Sequence, residues 1–230
     1  MLNLIKLELR RMNIKSVALS FLLINTAIVS MMMLISIEPE AVTEFLTSID
    51  DVQMLIELLV IAAFVIYAAV LMSHIIIEEF KNKTITLLFM YPVSRRKLLM
   101  AKLIIISLFT FFFIIASVLI VYYSFSVFNR FYMFTPLELG YTLSSDYMLH
   151  LVLLAVACVG LSLIPLFFGM RKYSVPATIT SSIFIVALLS SSVNTDDTNL
   201  FSITAIPILL GVIGFITANL VVNQAVKKDF

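Results

Sequence analysis

The chain has 230 residues, of which 62% are hydrophobic and only 13% charged, with a mean hydropathy of +1.12 and a formal net charge of +1. A soluble domain averages about 45–50% apolar residues, so a water-borne globule is excluded and the surplus must face lipid. The single cysteine, Cys158, excludes an intramolecular disulfide, and with no Trp in the chain any interfacial belt falls to Tyr and Phe.

Residues 1–15 read as an amphipathic helix: Leu2, Ile5, Leu9 and Met12 recur at helical spacing, with Lys6, Arg10 and Asn13 on another face. Such a helix lies in the inner headgroup layer with its cations near anionic lipid. A basic tail that only sets topology is the competing reading. A cleaved signal is not expected, because the apolar run that follows is full length and ends at Glu38-Pro39-Glu40, not at a small-residue site.

A helix needs about 20 apolar residues to cross about 30 Å of hydrocarbon. Six stretches qualify: Ser16–Ile37, Val52–Ile77, Leu103–Phe128, Met148–Gly169, Ser174–Val193 and Ile203–Val222. The expected fold class is therefore an all-α membrane protein, one transmembrane domain over 1–230 with six transmembrane helices. Unbroken runs of this length argue against the short alternating segments of a membrane barrel.

Basic residues set the orientation. With the N-terminus inside, fourteen of the fifteen Lys and Arg fall on cytoplasmic segments and only Arg130 lies outside, while the opposite loops carry Glu38, Glu40, Glu44, Asp50, Asp51, Glu138, Asp146, Asp196 and Asp197. Both termini are thus expected in the cytoplasm. The outer loops, roughly 38–51, 129–147 and 194–202, are too short for an independent domain.

The longest cytoplasmic connection is Glu78–Lys102, EEFKNKTITLLFMYPVSRRKLLMAK. Thr84 to Met90 is apolar and helix-compatible, and Tyr91-Pro92 breaks it. Ser94 then caps a new helix that opens with Arg95, Arg96 and Lys97. Positive charge in a first turn opposes the helix dipole. Two readings fit: an element that docks on a soluble partner, or a loop that only fixes topology.

This loop resembles the first cytoplasmic loop of ABC-2 type permeases, the membrane subunits of bacterial ATP-driven exporters. The resemblance rests on Glu78 and Glu79 ending the second span, the polar stretch Lys81 to Thr84, the apolar Ile85 to Met90, Tyr91-Pro92-Val93-Ser94-Arg95, and Lys102 opening the third span. Its specific part covers about 25 residues; the basic amphipathic start and the span count fit in outline. Lys83 departs from the pattern, standing where the family usually has Gly before the Thr. The resemblance implies that the loop is a coupling helix seated in a nucleotide-binding ATPase subunit, with Glu78, Glu79, Lys81, Thr84, Tyr91, Pro92 and Arg95 in that role and Arg171–Lys172 as a minor second contact. It also implies a second permease chain, identical or related, and a bacterial cytoplasmic membrane location. ATP and Mg2+ would sit in the partner: none of the five glycines here is followed by Lys, so no P-loop is present, and no cofactor is expected in this chain.

Other residues draw notice. Glu57 lies about one turn inside the second span; its depth favours an outer-interface carboxylate, the alternative being a place on a substrate path. Thr178, Thr180, Ser181 and Ser182 make the fifth span polar, which suits either a path, through Thr178 and Ser181, or hydrogen bonds to neighbouring helices and to the helix itself. Gly214 with Ala218, and Ala177 with Ser181, have the small-xxx-small spacing that permits close helix packing, as at a dimer seam. His74 and His150 belong to opposite membrane faces and Cys158 reads as a buried hydrophobe, so no metal site is expected. No nucleic-acid surface is expected either, since topology accounts for the basic residues.

In overall style the chain is most similar to permeases of staphylococcal exporters of amphipathic phenol-soluble modulin peptides. That similarity implies export of an amphipathic or hydrophobic peptide. Efflux or immunity permeases for drugs, lantibiotics or ions, and a non-transporting membrane scaffold or signalling subunit, are the alternatives.

Overall fold

The computed structural model describes residues 2–38, 42, 46–82, 95–132, 144–190 and 205–227. Among these residues every regular element is helical. In chain order they are α1 (Leu2–Arg11), α2 (Ile14–Ile37), α3 (Ile49–Met72), α4 (Arg95–Tyr132), α5 (Ser145–Leu163), α6 (Pro165–Lys172), α7 (Val175–Ser190) and α8 (Ala205–Lys227). A π-helical turn at Ser73–Ile77 and a last α-turn at Glu78–Lys81 carry α3 onward without a break.

Local chemistry explains the boundaries. Ser48 opens α3 with a reciprocal cap: the Asp51 amide donates to Ser48 Oγ at 3.1 Å, and the Ser48 amide donates to the Asp51 carboxylate at 2.9 Å. Asp50 and Asp51 sit in that first turn, where negative charge suits the helix dipole. Ser144 caps α5 by accepting from the Asp146 and Tyr147 amides. Pro165 has no amide proton to continue α5, so the ladder breaks at Ile164 and α6 begins with the proline in its first turn. Tyr173 ends α6 in the left-handed region (φ 48°, ψ 43°), and its ring stacks on Phe80 at 5.5 Å.

Among the described residues five helical stretches are long and apolar enough to cross a membrane: Ile14–Ile37, Ile49–Lys81, Arg96–Tyr132, Ser145–Arg171 and Pro207–Gln224. The fifth expected span corresponds to α7, which is described over 16 residues, or about 24 Å; its expected continuation to 193 lies outside the described residues. One boundary departs from expectation. The helix opening at Arg95 is not separate from the third span but runs unbroken to Tyr132, over 38 residues. Burial of Leu98 and Leu99 against neighbouring helices favours continuing the helix over the dipole cost of Arg95, Arg96 and Lys97.

Two apolar clusters hold the bundle. One joins α2, α3, α4 and α5 around Met32, Ile56, Phe64, Val118, Phe125 and Leu154. The other joins the end of α3, the start of α4, α6 and α8 around Met72, Ile77, Leu103, Leu166 and Val222. Outside these clusters Leu19, Leu23, Phe112, Phe184 and Leu209 are exposed, an apolar exterior suited to hydrocarbon. The tightest seam is α5 against α8, where a Cβ on Gly211 would lie 2.7 Å from the Ala157 carbonyl and one on Gly214 would meet the Gly160 backbone. Gly214 therefore serves a close crossing within the chain, and Ala218 serves the second apolar cluster.

Candidate functional site

The basic end of the bundle holds a buried charge. Lys102, two turns into α4, has no exposed surface. A lysine taken out of water costs several kcal/mol unless its proton donors are matched, and here they are. Its Nζ lies 2.6 Å from Glu79 Oε2, donates to the Ile75 carbonyl at 3.1 Å and lies 3.6 Å from Glu8 Oε1. The other oxygen of Glu79 faces Arg11 Nη1 at 2.9 Å. Two carboxylates and two cations from α1, the end of α3 and the start of α4 thus balance in one cluster.

The π-helical turn helps form this site. Widening the helix at Ser73–Ile77 shifts the i→i−4 ladder by one residue, and within that turn the Ile75 carbonyl accepts from a side chain 27 positions away. Ser73 is fully buried and donates to the Ala69 carbonyl at 2.8 Å. Farther out, His74 Nδ1 and Glu78 Oε1 are 2.9 Å apart, one helical turn from each other. A cleft of about 590 Å³ opens beside the cluster, lined by Arg11, Asn13, His74, Glu78, Glu79 and Lys102 among others.

α1 has the amphipathic register expected of it. Ile5 and Leu9 are partly buried, Lys6 and Arg10 are exposed, and the helix packs on α4. Glu8 and Arg11 enter the cluster from it, and neither was singled out from sequence for this role. Of the expected coupling residues, Glu79 lies in the cluster, Glu78 on its rim, and Lys81 is exposed at the end of the α3 extension. Thr84, Tyr91 and Pro92 lie outside the described residues, and Arg95 is described as the first residue of α4. The cluster brackets 83–94 on both sides, which places it at the root of that segment.

A second polar site occupies the opposite, acidic end. Glu57 on α3 is buried (7% exposed), and His150 Nδ1 on α5 lies 3.6 Å from its Oε1. At that end its carboxylate is enclosed between α3 and α5. Thr178 and Ser181 on α7 turn their hydroxyls onto their own helix, donating to the Ser174 and Thr178 carbonyls at 3.1 and 2.8 Å. Cys158 is fully buried on α5.

A family model described as ABC-2 family transporter protein matches residues 4–187. The chain belongs to the ABC-2 transporter family. It is also 37% identical over 229 residues to a protein of Bacillus subtilis (strain 168) called uncharacterized protein YcbO, covering 99% of this chain and 100% of that one. No solved structure matches it. An ABC-2 permease with five long apolar helices is a multi-pass protein of the cytoplasmic membrane and a transmembrane subunit of an ABC transporter, and the family implies an ATPase partner.

Proposed function

We propose that the chain is the permease of an ATP-driven exporter of amphipathic or hydrophobic peptides, working as a pair of permease chains, identical or related, with two separate ATPase subunits. The observation that carries the coupling part of this reading is the buried Lys102–Glu79 pair at the root of 83–94. A segment hinged on flexible ends would absorb a partner's push. Here the chain entering 83–94 and the chain leaving it are bonded through Lys102 to Ile75 and Glu79, and through Glu79 to Arg11.

Force on the segment therefore moves the end of the second span and the start of the third together, and carries α1 with them. In this reading 83–94 seats in the ATPase, with Thr84, Tyr91, Pro92 and Arg95 at the contact. Arg171 and Lys172, at the end of α6, form the minor contact. ATP and Mg2+ are bound and used in the partner. Six spans with both termini in the cytoplasm place every long basic segment on the ATPase side. A peptide substrate suits walls that are apolar over nearly their whole length, where a greasy helix face is accepted with little demand on sequence.

Affinity purification in mild detergent tests the reading. A stoichiometric P-loop ATPase should accompany the wild type and be lost with Tyr91→Ala. An amphipathic helical peptide should then raise ATP hydrolysis by the complex, while the same composition scrambled to destroy its apolar face should not. Absence of an ATPase from an otherwise intact preparation would leave the scaffold or signalling reading in its place.

A further inference from the structure

The backbone ladder at the end of the second span holds one residue too many. The Ser73 amide donates to the Ala69 carbonyl, four residues back, the Glu78 amide to the Ser73 carbonyl, five back, and the Asn82 amide to the Glu78 carbonyl, four back. The π-turn thus absorbs one surplus residue in an otherwise α-helical rod. Straightened into α-helix, the same sequence would carry everything beyond Ile77 about 100° round the axis. Glu79 would leave Lys102, and Glu78, one residue earlier, would come to the place that Glu79 now holds.

We propose that Ser73–Ile77 is a two-register device, in which the buried Lys102 pairs with Glu79 when the turn is π-helical and with Glu78 when it is α-helical. A register change that left a buried ammonium unmatched would be prohibitive. The tandem carboxylates remove that barrier. In the present register Glu78 is available: its side chain is 41% exposed and meets only the rim residue His74, at 2.9 Å, within the cluster. The Ile75 carbonyl, now held by Lys102, would pass to the Glu79 amide, its partner in an unbroken α-helix. The contact given up is Phe80 on Tyr173, stacked at 5.5 Å. The rotation would also carry Asn82, from which 83–94 departs. Its use in coupling rests on the reading above, whereas the device itself is a property of this chain and needs no partner.

The test uses the full chain in membrane vesicles, with Cys158→Ser to remove the native thiol. Phe80→Cys and Tyr173→Cys report the register through a short bifunctional thiol reagent, and should cross-link efficiently while Glu79 is present. Adding Glu79→Gln should move the chain to the α-register and lower cross-linking severalfold, with the protein still accumulating. Melting in detergent supplies a second readout. Glu78→Gln alone should change the melting point little and Glu79→Gln modestly, but the two together sharply, because Lys102 then meets a tandem carboxylate in neither register. Glu8, at 3.6 Å, is present throughout and cancels from the comparison. Deleting His74, whose side chain is 61% exposed, removes the surplus residue and leaves one register. That deletion should be tolerated alone and should make Glu79→Gln as damaging as the double substitution. Unchanged cross-linking in Glu79→Gln, its failure to accumulate, or additive effects of the two glutamine substitutions overturns the proposal. None of these outcomes touches the ATPase reading, and a missing ATPase would leave the register device standing.

Discussion

Lys102 and Glu79 lie 23 residues apart in sequence and 2.6 Å apart in space, with the lysine fully buried. Removing one member of such a pair leaves a charge without its match in an apolar setting, at a cost of about 3–5 kcal/mol, whereas removing both is far cheaper. Lys102→Met should therefore lower thermal stability in detergent sharply. The double variant Lys102→Met with Glu79→Gln should recover most of the loss. Additive losses in the double-mutant cycle would show that the two side chains act independently.

Arg11 binds the other oxygen of Glu79 but is 55% exposed. Solvent and salt screen such a partner, so Arg11→Ala should cost less than about 1 kcal/mol of global stability. Its effect should be local: faster amide hydrogen exchange across 2–11, with α3 and α4 unchanged. Equal acceleration along α4 would mean that α1 is not held separately through this contact.

Gly211 presents its backbone to Ala157 at the α5–α8 crossing, where an added Cβ would lie 2.7 Å from the Ala157 carbonyl. Backbone cannot yield as a flexible side chain does. Gly211→Ala should destabilise by about 1–3 kcal/mol, read as a lower melting point, and Gly211→Leu should prevent accumulation in the membrane. A neutral Gly211→Ala would show that the helices can part at this seam.

Five of the six expected spans were legible because uninterrupted apolar runs leave little else for a chain to do in lipid. Ser16–Ile37 was expected and Ile14–Ile37 is observed. What escaped was set by partners distant in sequence. Nothing near Glu8 or Arg11 announces that they face a lysine on another helix. The π-turn has no composition of its own, since SHIII reads as ordinary span. Lys102 carried a signal in hindsight: it is a lone cation among Leu98, Leu99, Ala101 and Leu103, so its face of the helix had to be either wet or paired. Glu57 was placed at the interface because depth along a helix is readable from sequence, but the direction in which the side chain faces its neighbours is not.

Topology is the expectation most open to direct measurement, because α7 is described over fewer residues than a full crossing needs. With Cys158 replaced by Ser to remove the buried thiol, single cysteines at Lys81, Lys172 and Glu38 provide the reporters. If α7 crosses the membrane, six spans place Lys81→Cys and Lys172→Cys on the cytoplasmic side, so an impermeant maleimide should label them only after the membrane is opened. Glu38→Cys should be labelled in intact cells. A further reporter, Asn223→Cys in the last turns of α8, separates the counts. With six spans it is protected in intact cells, and with five, α7 remaining on the cytoplasmic side, it is labelled. The second result would move the C-terminal end of the chain away from the ATPase and remove Lys227 and Lys228 from the cytoplasmic positive charge that the orientation rests on.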